Sequence, residues 1–213
     1  MFTEKEMLEM AKKKEKLDVV FILDKSGSMY GMENDTIGGY NHYIEDFKNK
    51  DANITTVLFN NEYEMICKRQ KVSEVKELTK KEYFVNGCTA LLDAIGNSIK
   101  FMEDENAEKV IFIITTDGYE NASHKYNKEQ IKEMIVSHNE WEFVYIGADI
   151  DSYSEGESIG IKASNIANYQ KDKKGVSNMF KAASLASELF FEKDCINPTW
   201  KKDLENYPTE KTK

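Results

Sequence analysis

The chain has 213 residues, 40% hydrophobic and 31% charged, enough for one well-cored domain with some extra at its ends. Its net charge of −9 argues against nucleic acid or an anionic membrane surface as the main partner, because the long-range field repels phosphate. No stretch reaches the roughly 18 apolar residues of a membrane span, Met1-Phe2-Thr3-Glu4-Lys5 lacks the apolar core of a secretory signal, and Cys67, Cys88 and Cys195 show neither zinc spacing nor a disulfide framework. A cytoplasmic protein with reduced thiols is expected.

Thr3-x-x-Glu6 has the form of a capping box, and Met7, Met10 and Ala11 share one helical face, so residues 1–16 are expected to form a short helix or a frayed arm. A domain over residues 17–193 should follow, then a polar tail over 194–213 that either docks through Trp200 and Tyr207 or stays mobile. Val19 to Leu23 is continuously apolar, which suits a central parallel strand covered on both faces, and it runs into Asp24, with hydroxyls at Ser26 and Ser28. From about Asp35, the spacing of Ile37, Tyr40, Ile44 and Phe47 predicts a helix. Ile54 to Phe59 and Tyr63 to Lys68 read as strands joined by a tight hairpin at Asn60-Asn61, an antiparallel edge pair beside the first strand. Val72 to Leu78 is expected to form a short helix.

Thr89 stands at the entrance of a second helix, whose face carries Leu92, Ile95, Ile99 and Met102. An ordinary N-cap there contributes about 1 kcal/mol. Val110 to Ile114 is another continuous apolar run, and it ends in Thr115-Thr116-Asp117-Gly118, so a second buried strand delivers a second aspartate. Asn127-x-x-Gln130 resembles a capping box ahead of Ile131, Met134 and Ile135, and Phe143 to Ile146 is a third buried strand leading to Asp149. A short edge strand over 165–169 and a helix carrying Val176, Met179, Phe180, Ala183, Ser187 and Phe190 complete the set.

Buried strands alternating with amphipathic helices imply an α/β fold: a doubly wound, mostly parallel sheet with one antiparallel edge strand and helices on both faces. Such folds place ligands outside the carboxyl ends of the strands, where Asp24, Ser26, Ser28, Thr89 and Asp117 would all arrive. Two carboxylates and three hydroxyls suit a hard divalent ion such as Mg²⁺ rather than zinc or copper. A polar turn leaving a strand is the plainer account of Asp24, Ser26 and Ser28 by themselves. Glu120 and Asn121 either rim such a site or serve the turn. Asp149 and Asp151 either form a second cation site, help select a ligand at the rim of the first, or are solvated loop carboxylates. His42, His124 and His138 lie in polar surroundings, with no nucleophile placed to form a triad.

Three segments together carry a resemblance: Asp24-Lys25-Ser26-Gly27-Ser28, Gly87-Cys88-Thr89-Ala90-Leu91-Leu92, and Thr116-Asp117-Gly118. They resemble the metal-ion-dependent adhesion site of the von Willebrand factor type A domain, shared with the integrin inserted domain, in a bacterial or phage-like intracellular member. Cys88 departs from the pattern, which commonly has a second glycine there. The resemblance implies Mg²⁺, or Mn²⁺ or Ca²⁺, bound directly by Ser26 and Ser28, directly or through water by Thr89, and mostly through water by Asp24 and Asp117. It also implies a binding module without catalytic residues, in which a Glu or Asp of a protein partner completes the coordination within an intracellular assembly. In such domains the last helix can shift when the threonine changes its coordination. Two alternatives stand beside it. One is a phosphohydrolase of the haloacid dehalogenase type with Asp24 as nucleophile, although its second aspartate is replaced by Ser26. The other is a scaffold in a nucleic-acid complex, since the Ku and Ro proteins contain this type of domain.

Overall fold

The computed structural model describes residues 16–207. Its centre is a six-stranded sheet in the order β3-β2-β1-β4-β5-β6. The strands are β1 (Leu17–Asp24), β2 (Ala52–Phe59), β3 (Tyr63–Lys71), β4 (Lys109–Thr116), β5 (Glu142–Gly147) and β6 (Ile166–Asn168). All neighbours pair in parallel except β3, which runs antiparallel to β2 at the edge. The hairpin is therefore half parallel in function, with β2 continuing the parallel sheet and β3 alone reversed.

The unbroken apolar runs have a simple cause in packing. Alternate residues of a strand point to opposite faces, and both faces of β1 are covered. Val19, Phe21 and Leu23 pack with Tyr40, Tyr43 and Phe47 of α1 (Glu33–Phe47) and with Val176, Met179 and Phe180 of α5 (Lys173–Lys193). Val20 and Ile22 pack with Ile95 and Ile99 of α2 (Leu91–Asp104) and Ile131 of α3 (Lys128–Ser137). Phe21 meets the rings of Tyr40 and Tyr43 edge-on, with centroids 5.5 and 4.6 Å apart. α3 opens on the expected capping box, where Asn127 Oδ1 accepts from Gln130 N and Gln130 Oε1 accepts from Asn127 N.

Three local expectations change. Val72 to Leu78 is not a helix: only Val72–Glu74 forms a 3₁₀ turn, and Val75 is already extended. The three-residue spacing of Val72, Val75 and Leu78 arises because all three pack on the core from an irregular strap. The strap's backbone is satisfied from outside, since Asn41 accepts from Leu78 N at 2.8 Å and donates to Leu78 O at 3.0 Å. The first helix begins at Glu33, ahead of Asp35, and a short helix α4 (Ser152–Ser158) fills a stretch to which the sequence assigned no element. The edge strand is confined to Ile166–Asn168.

Beyond α5 the chain turns at Asp194 in a left-handed conformation (φ 55°) and runs through a 3₁₀ turn, Pro198–Lys201, into α6 (Lys202–Glu205). Trp200 is 1% exposed and joins the main core, with its indole N–H donating to Ser164 O at 2.9 Å. Lys201 Nζ donates to Ala163 O and Ile166 O. The expected helix around Thr3 and Glu6 lies outside the described residues. Among the described residues, no helix is long and apolar enough to cross a membrane.

Because Trp200 is fully enclosed, Trp200→Ala should lower the unfolding free energy by about 3–5 kcal/mol. Chemical denaturation checks this, and an unchanged midpoint would show that the segment after α5 adds nothing to the core.

Candidate metal centre

The carboxyl ends of β1 and β4 lie side by side, with Leu23 opposite Thr115, so the next residues, Asp24 and Thr116, also meet. Thr116 Oγ1 donates to Asp24 Oδ2 at 2.6 Å, while Ser26 N donates to Asp24 Oδ1 at 2.7 Å. The Tyr83 hydroxyl donates to the backbone oxygen of Asp24. The carboxylate is thus fixed by neighbours that supply hydrogen bonds but no positive charge. Burial pushes the Asp24 carboxyl up to about 6; the bonds from Ser26 and Thr116 oppose the shift, and the nearby charge of Asp117 adds to it.

From Ser26 the polar chain continues outward. Ser26 Oγ and Ser28 Oγ are 3.0 Å apart, and Ser28 Oγ donates to Asp117 Oδ1 at 2.5 Å. Thr89 joins from the other side. A Cβ on Gly118 would stand 3.2 Å from Thr89 Oγ1 and 3.3 Å from Ser28 Oγ, so the absence of a side chain at Gly118 lets both hydroxyls close over the end of β4. Thr89 is not the side-chain cap of α2; its amide is held by Asn121 Oδ1 at 2.9 Å. Asp24, Ser26, Thr89 and Asp117 are buried and Ser28 is exposed, so the five residues are reached from the Ser28 side.

The loops that carry them are tied together through backbone bonds. Gly27 N donates to Gly87 O at 3.0 Å, Asn86 N to Lys25 O at 2.9 Å and Lys25 N to Phe59 O at 2.8 Å. Cys88 is exposed, and its amide donates to Asn61 Oδ1 at 2.6 Å, so a side chain in place of glycine leaves the loop anchored.

The neighbouring acids have other duties. Glu120 accepts from Leu92 N at the start of α2, from Ala122 N, and from Ser123 N and Oγ, all within 2.9 Å. It closes a turn and does not face outward as a rim group. Asp151 caps α4 by accepting from Ser154 N at 3.0 Å, whereas Asp149 is exposed in a left-handed conformation (φ 56°). The two aspartates turn to different partners and form no second cage. His138 is more enclosed than its polar neighbours suggest, stacked on Trp141 and within 2.9 Å of Glu103.

Sequence reasoning missed Lys171, whose Nζ is 2.9 Å from Asp117 Oδ2 and 3.9 Å from Asp149 Oδ2. A single lysine in Gln170-Lys171-Asp172-Lys173-Lys174 carries no mark that separates it from a solvated run. Thr116 and Tyr83, which fix Asp24, were missed for the same lack of a local signal.

Comparison with known proteins identifies the family and the fold. The family model for the von Willebrand factor type A domain matches residues 18–194. The chain belongs to this family. Among solved structures, this von Willebrand factor type A domain is similar to a von Willebrand factor type A protein from Catenulispora acidiphila (TM-score 0.59, 17% identity, 82% of this chain and 43% of that one). It is also similar to the manganese-loaded TRAP protein of Plasmodium vivax (0.56, 16%, 79% and 73%) and to the ArnB paralog VWA2 of Sulfolobus acidocaldarius (0.57, 16%, 79% and 45%). The domain spans less than two thirds of the length of the first solved chains it matches. At these identities the likeness establishes the fold. No curated protein matches the sequence.

The raised value for Asp24 predicts a pH dependence of the metal-free domain. The unfolded chain releases this proton near 3.8 and the folded chain holds it to about 6, so the contribution stabilises the fold at low pH and is lost as the pH rises through about 6. Thermal unfolding in a chelating buffer should therefore show wild type losing more stability across that window than Asp24→Asn. Parallel curves for the two proteins would contradict the assignment.

Proposed function

We propose that the domain is a metal-dependent protein-binding module, in which Asp24, Ser26, Ser28, Thr89 and Asp117 hold a divalent cation and a Glu or Asp of a partner protein completes its coordination. The observation that carries this reading is the convergence of three hydroxyls and two carboxylates at one partly open point of the sheet edge. The donor set fits the ion. It is all oxygen, as Mg²⁺, Mn²⁺ or Ca²⁺ requires. Among the described residues there is no group of three or more His, Cys, Asp or Glu suited to another kind of metal site. Asp117 Oδ1 accepts from Ser28 within this set, while its buried Oδ2 is met by the Lys171 ammonium at 2.9 Å. When bound, the cation supplies a positive centre that an outside carboxylate can neutralise.

The surrounding surface supports a protein as the source of that carboxylate. Of the large apolar side chains that are exposed among the described residues, Tyr30 (81%), Phe84 (66%) and Tyr119 (52%) all belong to the loops that carry the five candidate ligands. Aromatic side chains at the rim of a polar centre are the usual anchors of protein contacts. The free thiols of Cys67, Cys88 and Cys195 suit a reducing compartment, and we place the assembly in the cytoplasm. The phosphohydrolase alternative draws no support from the geometry, because the residue two positions after Asp24 is Ser26, whose hydroxyl is paired with Ser28.

Calorimetric titration with Mg²⁺ or Mn²⁺ tests the proposal. Asp24→Ala, or Ser26→Ala combined with Ser28→Ala, should cut the metal affinity at least tenfold, a loss of about 1.4 kcal/mol, and leave the circular dichroism spectrum unchanged. Equal affinity in these variants would overturn it. Phe84→Ser and Tyr119→Ser should keep metal binding but weaken partner capture by more than about 1 kcal/mol each, as measured by metal-dependent pull-down. Capture that persists undiminished in EDTA would count against the whole reading.

A further inference from the structure

Lys171 is not an ordinary surface lysine. It lies in the turn between β6 and α5, and the backbone on both sides of it is held. Tyr169 N donates to Gly147 O at 2.9 Å, Asp172 N donates to Gln170 O at 2.8 Å, and Asp172 Oδ1 caps α5 by accepting from Gly175 N at 2.7 Å. The turn is packed so closely that a Cβ on Gly175 would stand 1.9 Å from Gln170 O. A fixed turn therefore delivers the ammonium group to Asp117, with the lysine side chain 24% exposed and that of Asp117 fully buried. The two oxygens of Asp117 have different partners: Oδ1 takes the Ser28 hydroxyl within the candidate cage, and Oδ2 takes Lys171.

The consequence is one of charge. A divalent ion beside two ionised aspartates is formally neutral, so a partner's carboxylate bound at its open position would leave the cluster with a net negative charge. With Lys171 included, the cluster of ion, Asp24, Asp117 and Lys171 carries one net positive charge, which a single Glu or Asp brings to zero. Asp149, 3.9 Å from Lys171 and exposed, is the more distant and better solvated charge, so its screening leaves most of that difference in place. We infer that Lys171 is a specificity-determining residue of this centre, which weakens the grip on the metal in order to strengthen the grip on an external carboxylate. The inference rests on the metal-binding reading given above.

The test uses the whole chain with Mn²⁺ as the metal and acetate as the carboxylate, following Mn²⁺ affinity by calorimetry and acetate binding by the relaxation of water protons on the loaded protein. Lys171→Met and Lys171→Gln should each bind Mn²⁺ about three- to tenfold more tightly, since a like charge near the ion has been removed, and should bind acetate more weakly by a similar factor. Lys171→Arg should behave as wild type in both. The Gln variant keeps a polar end group one atom shorter and the Met variant keeps a flexible unbranched chain, so one of the two neutral variants remains measurable if the other folds poorly. Unchanged affinities for both Mn²⁺ and acetate, with only a lower unfolding temperature, would mean that Lys171 is a structural tie and would overturn the inference while leaving the metal reading intact. Failure of wild type itself to bind Mn²⁺ would overturn both.

Discussion

The parallel pairing of β1 with β4 is the constraint on which the candidate centre depends. Its register sets Asp24 beside Thr116 and brings Asp117 to the same edge, so two carboxylates from segments 93 residues apart are buried together. The pairing is secured by apolar side chains that are wholly enclosed on both faces, from Val19 to Leu23 and from Val110 to Ile114. A slip of one residue would exchange the faces of every side chain in the strand and move the aspartate with them. The core therefore specifies the positions of the acids to within one residue, and one of its members, Tyr83, holds the backbone oxygen of Asp24 directly.

The two ends of β1 show how differently the chain treats a buried acid. At the entry, Asp18 is met by Arg69, whose Nε and Nη2 each lie 3.0 Å from one of its oxygens. That is a paired charge in the bidentate geometry that makes burial tolerable. At the exit, Asp24 receives only hydrogen bonds, and no ion pair reaches it among the described residues. An uncompensated carboxylate at this depth weakens a fold unless something positive is supplied. The contrast within one strand supports the proposal of a cation at the carboxyl edge and not at the opposite end.

What the sequence discloses follows from how local each feature is. Continuous apolar runs at β1, β4 and β5 are visible because full burial leaves no room for alternation, and the five candidate ligands are visible because each follows such a run or opens a helix at a short, fixed offset. Val72, Val75 and Leu78 mislead because an irregular strap over a core can place apolar residues at helical spacing, and the Asn41 side chain that holds the strap is far away in sequence. Glu120 reads as a rim residue because it follows Asp117 closely, but the free amides of α2 and the adjacent turn claim its oxygens first. Lys171 is the hardest to read, and Trp200 is legible only as one of two fates for the tail. Each becomes significant only through a contact with a segment dozens of residues away, Asp117 for one and Ser164 for the other.

Lys171 also bears on how the centre communicates with the rest of the domain. It stands two residues ahead of α5, whose N-cap, Asp172, is its direct neighbour. α5 packs along α1, and Lys50, just beyond α1, is paired with Glu188 of α5 at 3.0 Å. Close by, the Tyr169 hydroxyl lies 3.9 Å from Met29 Sδ in the turn that follows Ser26. The start of α5 is thus linked to the serine loop through Tyr169 and to the distal aspartate through Lys171. A change in charge at Asp117 would act first on Lys171, 2.9 Å away, and the turn that carries this lysine leads directly into the first turn of α5.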